Sequence, residues 1–366
     1  MKNSLGQLLI IGLEGTQWSS SCAKLLRRYQ PGGMLVLDRN LRAPDLTAEL
    51  FRKIAAALDV LPFLAIEQEG GSIDPLRRFF PPLPSPHIAA VKGSAMVERL
   101  GALIGEACAL LGFNLNFAPR LELADPELKP SLQPQMFHSD PKKVAQCGEA
   151  FVDGLRRHKV LACAKHFPGP GSAEFVGDNP LPIVDKPMRA LWRGDLLPFR
   201  QTLSKLAIIK MSYSAYKAYD FDLAVPAACS TTILNGLLRV KLGYGGAAIA
   251  DHFTPAPITF PPLGQDIDFS IPVKNLMASL ISGCDMHIVP SWGTGSLDLC
   301  ANSVSRALEE GSLSTQRLNE ALKRIHRAKR GLRRPAAKFS GRVYDQLCRK
   351  FEEFHKDIQT MEREIA

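Results

Sequence analysis

Several places in this 366-residue chain put chemically able side chains directly behind short apolar runs. Glu67 and Glu69 follow LPFLAI (61–66), Lys165 and His166 follow VLACA (160–164), and Ser212 and Tyr213 follow LAIIKM (206–211). Asp251 and His252 follow GAAIA (246–250), and Ser291 and Trp292 lie just beyond CDMHIV (284–289). Carboxylates so placed can act as nucleophiles or as general acids and bases. An ammonium with three donors and an imidazole with one or two can hold hydroxyl groups. Acids, a Lys-His pair and hydroxyls gathered at one polar mouth suit a polyhydroxylated ligand. No Gly-x-Gly-x-x-Gly follows the first apolar run, and no phosphate-cradling loop is evident. The eight cysteines are scattered singly without a Cys-x-x-Cys pair, which argues against a structural zinc site and a redox dithiol. No metal or other cofactor is expected.

Such side chains act together only if the elements that carry them converge. Runs of strand length recur at 8–13, 33–37, 61–66, 114–119, 160–164, 206–211, 246–250 and 284–289. They are continuous rather than alternating, as in strands buried on both faces of a parallel sheet. Helical patterns lie between them. Asp45 to Val60 opens with an acid at the expected cap and spaces Leu46, Leu50, Ile54 and Leu58 four apart. Asp140-Pro141 starts a second helix, and Ser230 to Leu242 and Ser314 to Leu332 read similarly. Eight strands alternating with helices predict an α/β fold, a (β/α)8 TIM barrel over residues 1–332, with a doubly wound open sheet as the competing architecture. In such a barrel chemistry sits at the C-terminal strand ends, where the residues above fall.

Composition agrees with a globular enzyme-sized body: 46% of residues are hydrophobic and the net charge is +9. Disordered, collagen-like and disulfide-stapled chains are excluded. No apolar run reaches the roughly 18 to 20 residues needed to span a bilayer. Leu8 to Leu13 is too short for a secretory signal and reads as a buried strand. Isolated thiols favour a reducing compartment, and the expected location is cytoplasmic. Residues 321–350 hold eleven Lys or Arg against one acid, Asp345, a surplus larger than that of the whole chain. Aromatics for base stacking are sparse there, so a solvated helix end is favoured and no nucleic acid is expected as a partner. Residues 333–366 read as a basic linker and an amphipathic helical extension. In that extension Val343, Leu347, Phe351, Phe354, Ile358 and Met361 form one apolar face, to be covered by the barrel or by a partner.

The motifs EQEGG (67–71), KHFPG (165–169) and GGAAIAD (245–251), with LNFAP (115–119) and SGCDM (282–286), occur in an order that resembles glycoside hydrolase family 3. The likeness is to its single-domain β-N-acetylhexosaminidase branch and runs from Gly6 to about Leu332. It implies a barrel enzyme that removes terminal N-acetylglucosamine with retention, commonly from peptidoglycan fragments. Asp251 matches the family nucleophile, Lys165 and His166 match residues that bond sugar hydroxyls, and Glu67 stands where the family has an Asp that grips the terminal sugar. For Lys165 the residues alone leave open a buried pairing with Glu122 or Asp251.

The chain also departs from that pattern. After KHFPG the family continues with His-Gly-Asp-Thr and then Asp-Ser-His, whereas this chain reads PGSAEFVGDNPLP (170–182) at the same length. Val176 then takes the position of the orienting Asp and Asp178 that of the acid/base His. Two family arginines are replaced by Ser72 and Gln135, and a second Asp by His252. Arg77, Arg78 or Arg120 could supply the missing guanidinium. Three readings follow. One is an active retaining glycosidase whose general acid is Asp178 or Glu174. The second is a catalytically impaired pseudoenzyme of the same fold that binds a saccharide or a protein. The third makes the basic tail a docking element.

Overall fold

A computed structural model describes residues 5–127, 129–175, 181–221, 224–251, 270–289 and 294–365. The described strands, in chain order, are β1 (Leu9–Gly12), β2 (Gly33–Leu35), β3 (Phe63–Ile66), β4 (Leu115–Asn116), β5 (Leu161–Phe167), β6 (Glu174–Phe175), β7 (Pro182–Val184), β8 (Ile208–Met211), β9 (Ala215–Tyr216), β10 (Ala247–Ala250) and β11 (Met286–Val289). Eight of them, each inside one of the apolar runs or beginning in one, close a barrel in the order β1-β2-β3-β4-β5-β8-β10-β11, with β11 returning to β1. Every pairing around the ring is parallel. The remaining three, β6, β7 and β9, form a small separate sheet on the loops that leave β5 and β8. The periodicity of the sequence does not announce them, because two or three residues are too few to show one.

Burial explains the unalternating runs. Residues such as Ile10, Leu64 and Ile209 are fully enclosed, since side chains on one face fill the barrel and those on the other meet the helices. Asp140 caps the helix Pro141–Arg157, accepting from the Lys142 amide at 2.7 Å, and Ser314 caps Thr315–Lys329. One cap is placed differently from the expectation. The helix read as opening on Asp45 spans Pro44–Ala57, with Ala43 at the cap and Asp45 inside the first turn. Proline is favoured at a first helical position because it lacks the amide hydrogen that would go unused there, and this shifts the start. Leu46 of that stripe faces outward, while Leu50, Ile54 and Leu58 are buried.

The C-terminal helix, Gly341–Ile365, lies against the barrel and not in solvent. Leu347, Phe351, Phe354 and Ile358 are buried, and Phe351 stacks on Phe80 with centroids 4.9 Å apart. Lys350 reaches Glu106 at 2.7 Å and Arg99 reaches Asp357 at 2.5 Å, tying it to the helix Ser94–Leu111. Part of the basic surplus is therefore structural. At the barrel floor Asp285 is fully buried and meets Arg239, Arg317 and Arg324 at 2.7, 3.2 and 3.0 Å. The eight cysteines are all free thiols. Among the described residues no helix is long and apolar enough to cross a membrane.

Candidate active site

The hollow at the C-terminal end of the barrel is built from the ends of β3, β4, β5, β8 and β10. After β3 the chain must turn at once, and Gly70 and Gly71 permit it with φ of 97° and 61°. A Cβ on Gly70 would lie 2.4 Å from the Pro84 carbonyl oxygen, so only glycine fits this bend. Asn116, at the end of β4, holds the backbone of Gln68 in both directions, accepting from its amide at 2.9 Å and donating to its carbonyl at 2.8 Å. That clamp fixes the carboxylates of Glu67 and Glu69 on either side.

Lys165 is the organising cation. It lies within β5, is wholly buried, and forms ion pairs with both Glu67 and Glu69. The expectation of a pairing with Glu122 or Asp251 is corrected here. β4, which separates β5 from β3, ends after two residues, and beyond it the Lys165 ammonium meets the acids that follow β3. Glu122 instead binds His166, Oε1 to Nδ1 at 2.5 Å, and its second oxygen meets Arg120 at 3.2 Å. Burial would raise the carboxyls of Glu67 and Glu122, but cationic neighbours override it. Lys165 and Lys210 hold Glu67, and Arg120 together with the hydrogen bond from His166 holds Glu122, well below the usual carboxylate range. Burial lowers the His166 imidazole, and Lys210 and Arg120 act in the same direction against Glu122, which favours the neutral ring. An ionised Glu122 only accepts, so the hydrogen of that ring sits on Nδ1.

Asp251 follows β10 and pairs through Oδ2 with Lys210 of β8. Lys210 is buried. Burial lowers its ammonium, but Asp251 and Glu67 raise it more, and the net displacement is upward. Between the two sides sits Cys163 of β5. Burial pushes its thiol up to about 12, and Lys210, Lys165, Glu67 and Asp251 all act on it. Carboxylate and cationic pair thus converge on one hollow. Among the described residues four carboxyl groups (Glu67, Glu69, Glu122, Asp251) meet two lysines and one arginine (Lys165, Lys210, Arg120) beside His166, so the acidic side chains outnumber the Lys and Arg side chains by one.

Gln135 lies at the rim with its amide committed to the protein. Nε2 donates to Glu69 Oε2 and to the Gly70 carbonyl, both at 3.1 Å. Of the arginines named above, Arg120 is in the hollow, whereas Arg78 turns to Asp38 at 2.5 Å and Arg77 is exposed. Glu174 is exposed on β6. Asp178, with Val176, His252, Ser291 and Trp292, lies outside the described residues. Sequence reading did not single out Lys210 as a site residue, although a lysine inside LAIIKM carried the signal: a charge in an apolar strand must be paired.

A closed parallel barrel with this acid-rich mouth belongs to a defined class. Residues 1–328 match the glycosyl hydrolase family 3 N-terminal domain, and the chain is a member of that family. A protein named beta-hexosaminidase from Alkalilimnicola ehrlichii is 30% identical over 290 residues, covering 77% of this chain and 80% of its own length. A beta-hexosaminidase from Pseudomonas aeruginosa is 29% identical over 283 residues, covering 77% and 81%. Among solved structures, a family 3 beta-N-acetylglucosaminidase from Paenibacillus sp. superposes with a TM-score of 0.78 at 23% identity, over 97% of this chain and 68% of that one.

Proposed function

We propose that this chain is a retaining glycosidase that removes terminal N-acetylglucosamine, including from peptidoglycan fragments in the cytoplasm, through a covalent intermediate on Asp251. The observation that carries this reading is the Asp251 carboxylate at the end of β10, in a network whose described carboxyl groups outnumber its lysines and arginine by one. A transition state of oxocarbenium character places positive charge at the anomeric carbon, and a surplus carboxylate stabilises it in a low-dielectric hollow. The names of the hexosaminidase relatives support the sugar.

In the first step an Asp251 oxygen bonds to the anomeric carbon while the aglycone oxygen leaves with a proton. In the second, water attacks the same carbon and the ester returns to carboxylate. Glu67 and His166 act on the hydroxyls of the terminal sugar, and Lys165 pairs with Glu67 and Glu69 and so orients them. The proton donor is a carboxyl of the loop after β5, Asp178, with Glu174 the other acid of that segment. A carboxylate there repels phosphate as an acceptor, which favours hydrolysis over phosphorolysis. The test is release of chromophore from an aryl N-acetylglucosaminide and an aryl glucoside by purified protein and by Asp251→Asn. Turnover of the first substrate alone, abolished in the variant, supports the reading, and turnover that survives the substitution ends it.

One observation favours a second reading, a saccharide-binding relative without turnover. The Gln135 amide hydrogens go to Glu69 and Gly70, where the family pattern has an arginine to meet the substrate. Binding of N-acetylglucosamine by calorimetry with no turnover of either aryl glycoside would establish it.

A further inference from the structure

We infer that Lys210 is the positioning residue of the nucleophile, turning the Asp251 carboxylate and stabilising it each time it is released from the sugar. This rests on the reading of Asp251 given above. Lys210 is the third residue of β8, among Ile208, Ile209 and Met211. β8 and β10 run parallel with Lys210 opposite Ile249, two residues before Asp251. Side chains alternate along a strand, so Lys210, Ile249 and Asp251 share one face. The ammonium consequently arrives beside Asp251 Oδ2 from the neighbouring strand.

The groups around Lys210 come from each side of the hollow. Asp251 follows β10, Glu67 follows β3, and Cys163 and His166 belong to β5 with Lys165 close by. The Phe117 ring beyond β4 stands 5.4 Å from the ammonium and closes that side with an apolar face. Lys165 is engaged by Glu67 and Glu69, and among the described ion pairs Lys210 is the cation that meets Asp251.

The role differs between the two chemical steps. When the Asp251 oxygen bonds to the anomeric carbon, the bond to the aglycone oxygen breaks and that oxygen takes the general acid's proton. The ester carries no charge, and of the described carboxylates that act on Lys210 only Glu67 then remains. When water bonds to the anomeric carbon it gives its proton to the loop carboxylate. The ester carbon–oxygen bond breaks, and its electron pair returns to Asp251 beside the ammonium. Lys210 therefore makes Asp251 a weaker base and a better leaving group. Its removal slows the second step more than the first.

The experiment uses an aryl N-acetylglucosaminide with a dinitrophenyl aglycone, whose departure needs little protonation. Lys210→Met, Lys210→Gln, Lys210→Arg and Asp251→Asn are compared with the unaltered enzyme after thermal melting shows which are folded. Gln keeps the chain length and a donor, and so separates charge from packing if Met fails to fold. In the neutral variants kcat falls on the order of 10²-fold, KM falls with it, and a burst of one dinitrophenolate per enzyme precedes the steady state. The acid limb of kcat/KM moves to higher pH by about one unit or more, because the carboxylate has lost its cation. Lys210→Arg keeps the limb where it was. A folded neutral variant with an unmoved acid limb and no burst overturns the inference while Asp251→Asn, if inactive, leaves the nucleophile standing. An active Asp251→Asn, or an unaltered enzyme that turns over nothing, overturns the reading of Asp251 and this inference with it.

Discussion

The two ends of the barrel bury charge in opposite ways. At the floor one carboxylate, Asp285, is shared by three guanidinium groups and also accepts from the Ala248 amide at 2.9 Å. At the mouth, among the described residues, four carboxyl groups share two lysines and one arginine. The floor cluster is excess cation around a single acid that no solvent reaches, and it fastens the helix Thr315–Lys329 to the strands. In the mouth cluster the described acids outnumber the lysines and arginine, and Glu67 and Asp251 keep a third and a quarter of their side chains accessible. Burial of paired charge is common to both ends. What separates a staple from a reactive site is the sign of the surplus and a path by which a ligand can meet it.

Substitutions at each end break this contrast in distinct ways. The largest effect is expected from Lys165→Met, which leaves Glu67 and Glu69 facing each other without their shared cation. It should cost about 3–5 kcal/mol in urea unfolding and abolish turnover as well. Asp285→Ala should destabilise by a similar amount, about 3–5 kcal/mol, because three guanidinium groups lose their acid. Its acid limb of kcat/KM should stay in place at temperatures where the variant is folded. A shift there would mean that floor and mouth are coupled.

A smaller effect sharpens the role of the rim. Gln135→Arg returns a guanidinium to the position where the family pattern has one. A charge-assisted hydrogen bond to substrate is worth about 1.5–3 kcal/mol, so KM for an aryl N-acetylglucosaminide should fall about tenfold or more. An unchanged KM would show that the new side chain is spent on Glu69, as the Gln135 amide is now.

The mildest test is a pH dependence at the floor. Burial pushes the Lys329 amine down from its ordinary 10.5 to about 7, and its ammonium donates only to Gln7, at 2.8 Å, among its described hydrogen bonds. Between those two values the unfolded chain holds a proton that the folded chain lacks. Stability therefore rises with pH from about 7 to about 10 and is at its lowest, from this group, below 7. Melting temperatures read across that window should climb for the unaltered protein and climb less for Lys329→Met.

Much of this architecture was readable one segment at a time. A strand enclosed on both faces has to be apolar without alternation, so LLIIGL or GAAIA states its own burial. Asp140 before Pro141, and Ser314 before Thr315, state where a helix begins. The hexosaminidase-like motifs marked Glu67, Lys165, His166 and Asp251 in the same manner. Illegible elements were those whose reason lies elsewhere in the molecule. β6, β7 and β9 are too short to be periodic, and Lys210 looked like one charge in an apolar run.

The eight strands, the order in which they alternate with helices, the apolar stripe of the last helix and the residue types at the strand ends are all legible in the chain. Local pattern is enough for these, because the solvent exposure of a strand or helix face acts on each segment independently. The tertiary structure alone decided which acid meets which base: Lys165 with Glu67 and Glu69, His166 with Glu122, Lys210 with Asp251. Those pairings depend on how many residues each neighbouring strand contributes before it ends and on the register between strands. The Coulomb energy of a buried pair changes steeply over a few ångströms, so closing the barrel sets the electrostatics of the mouth.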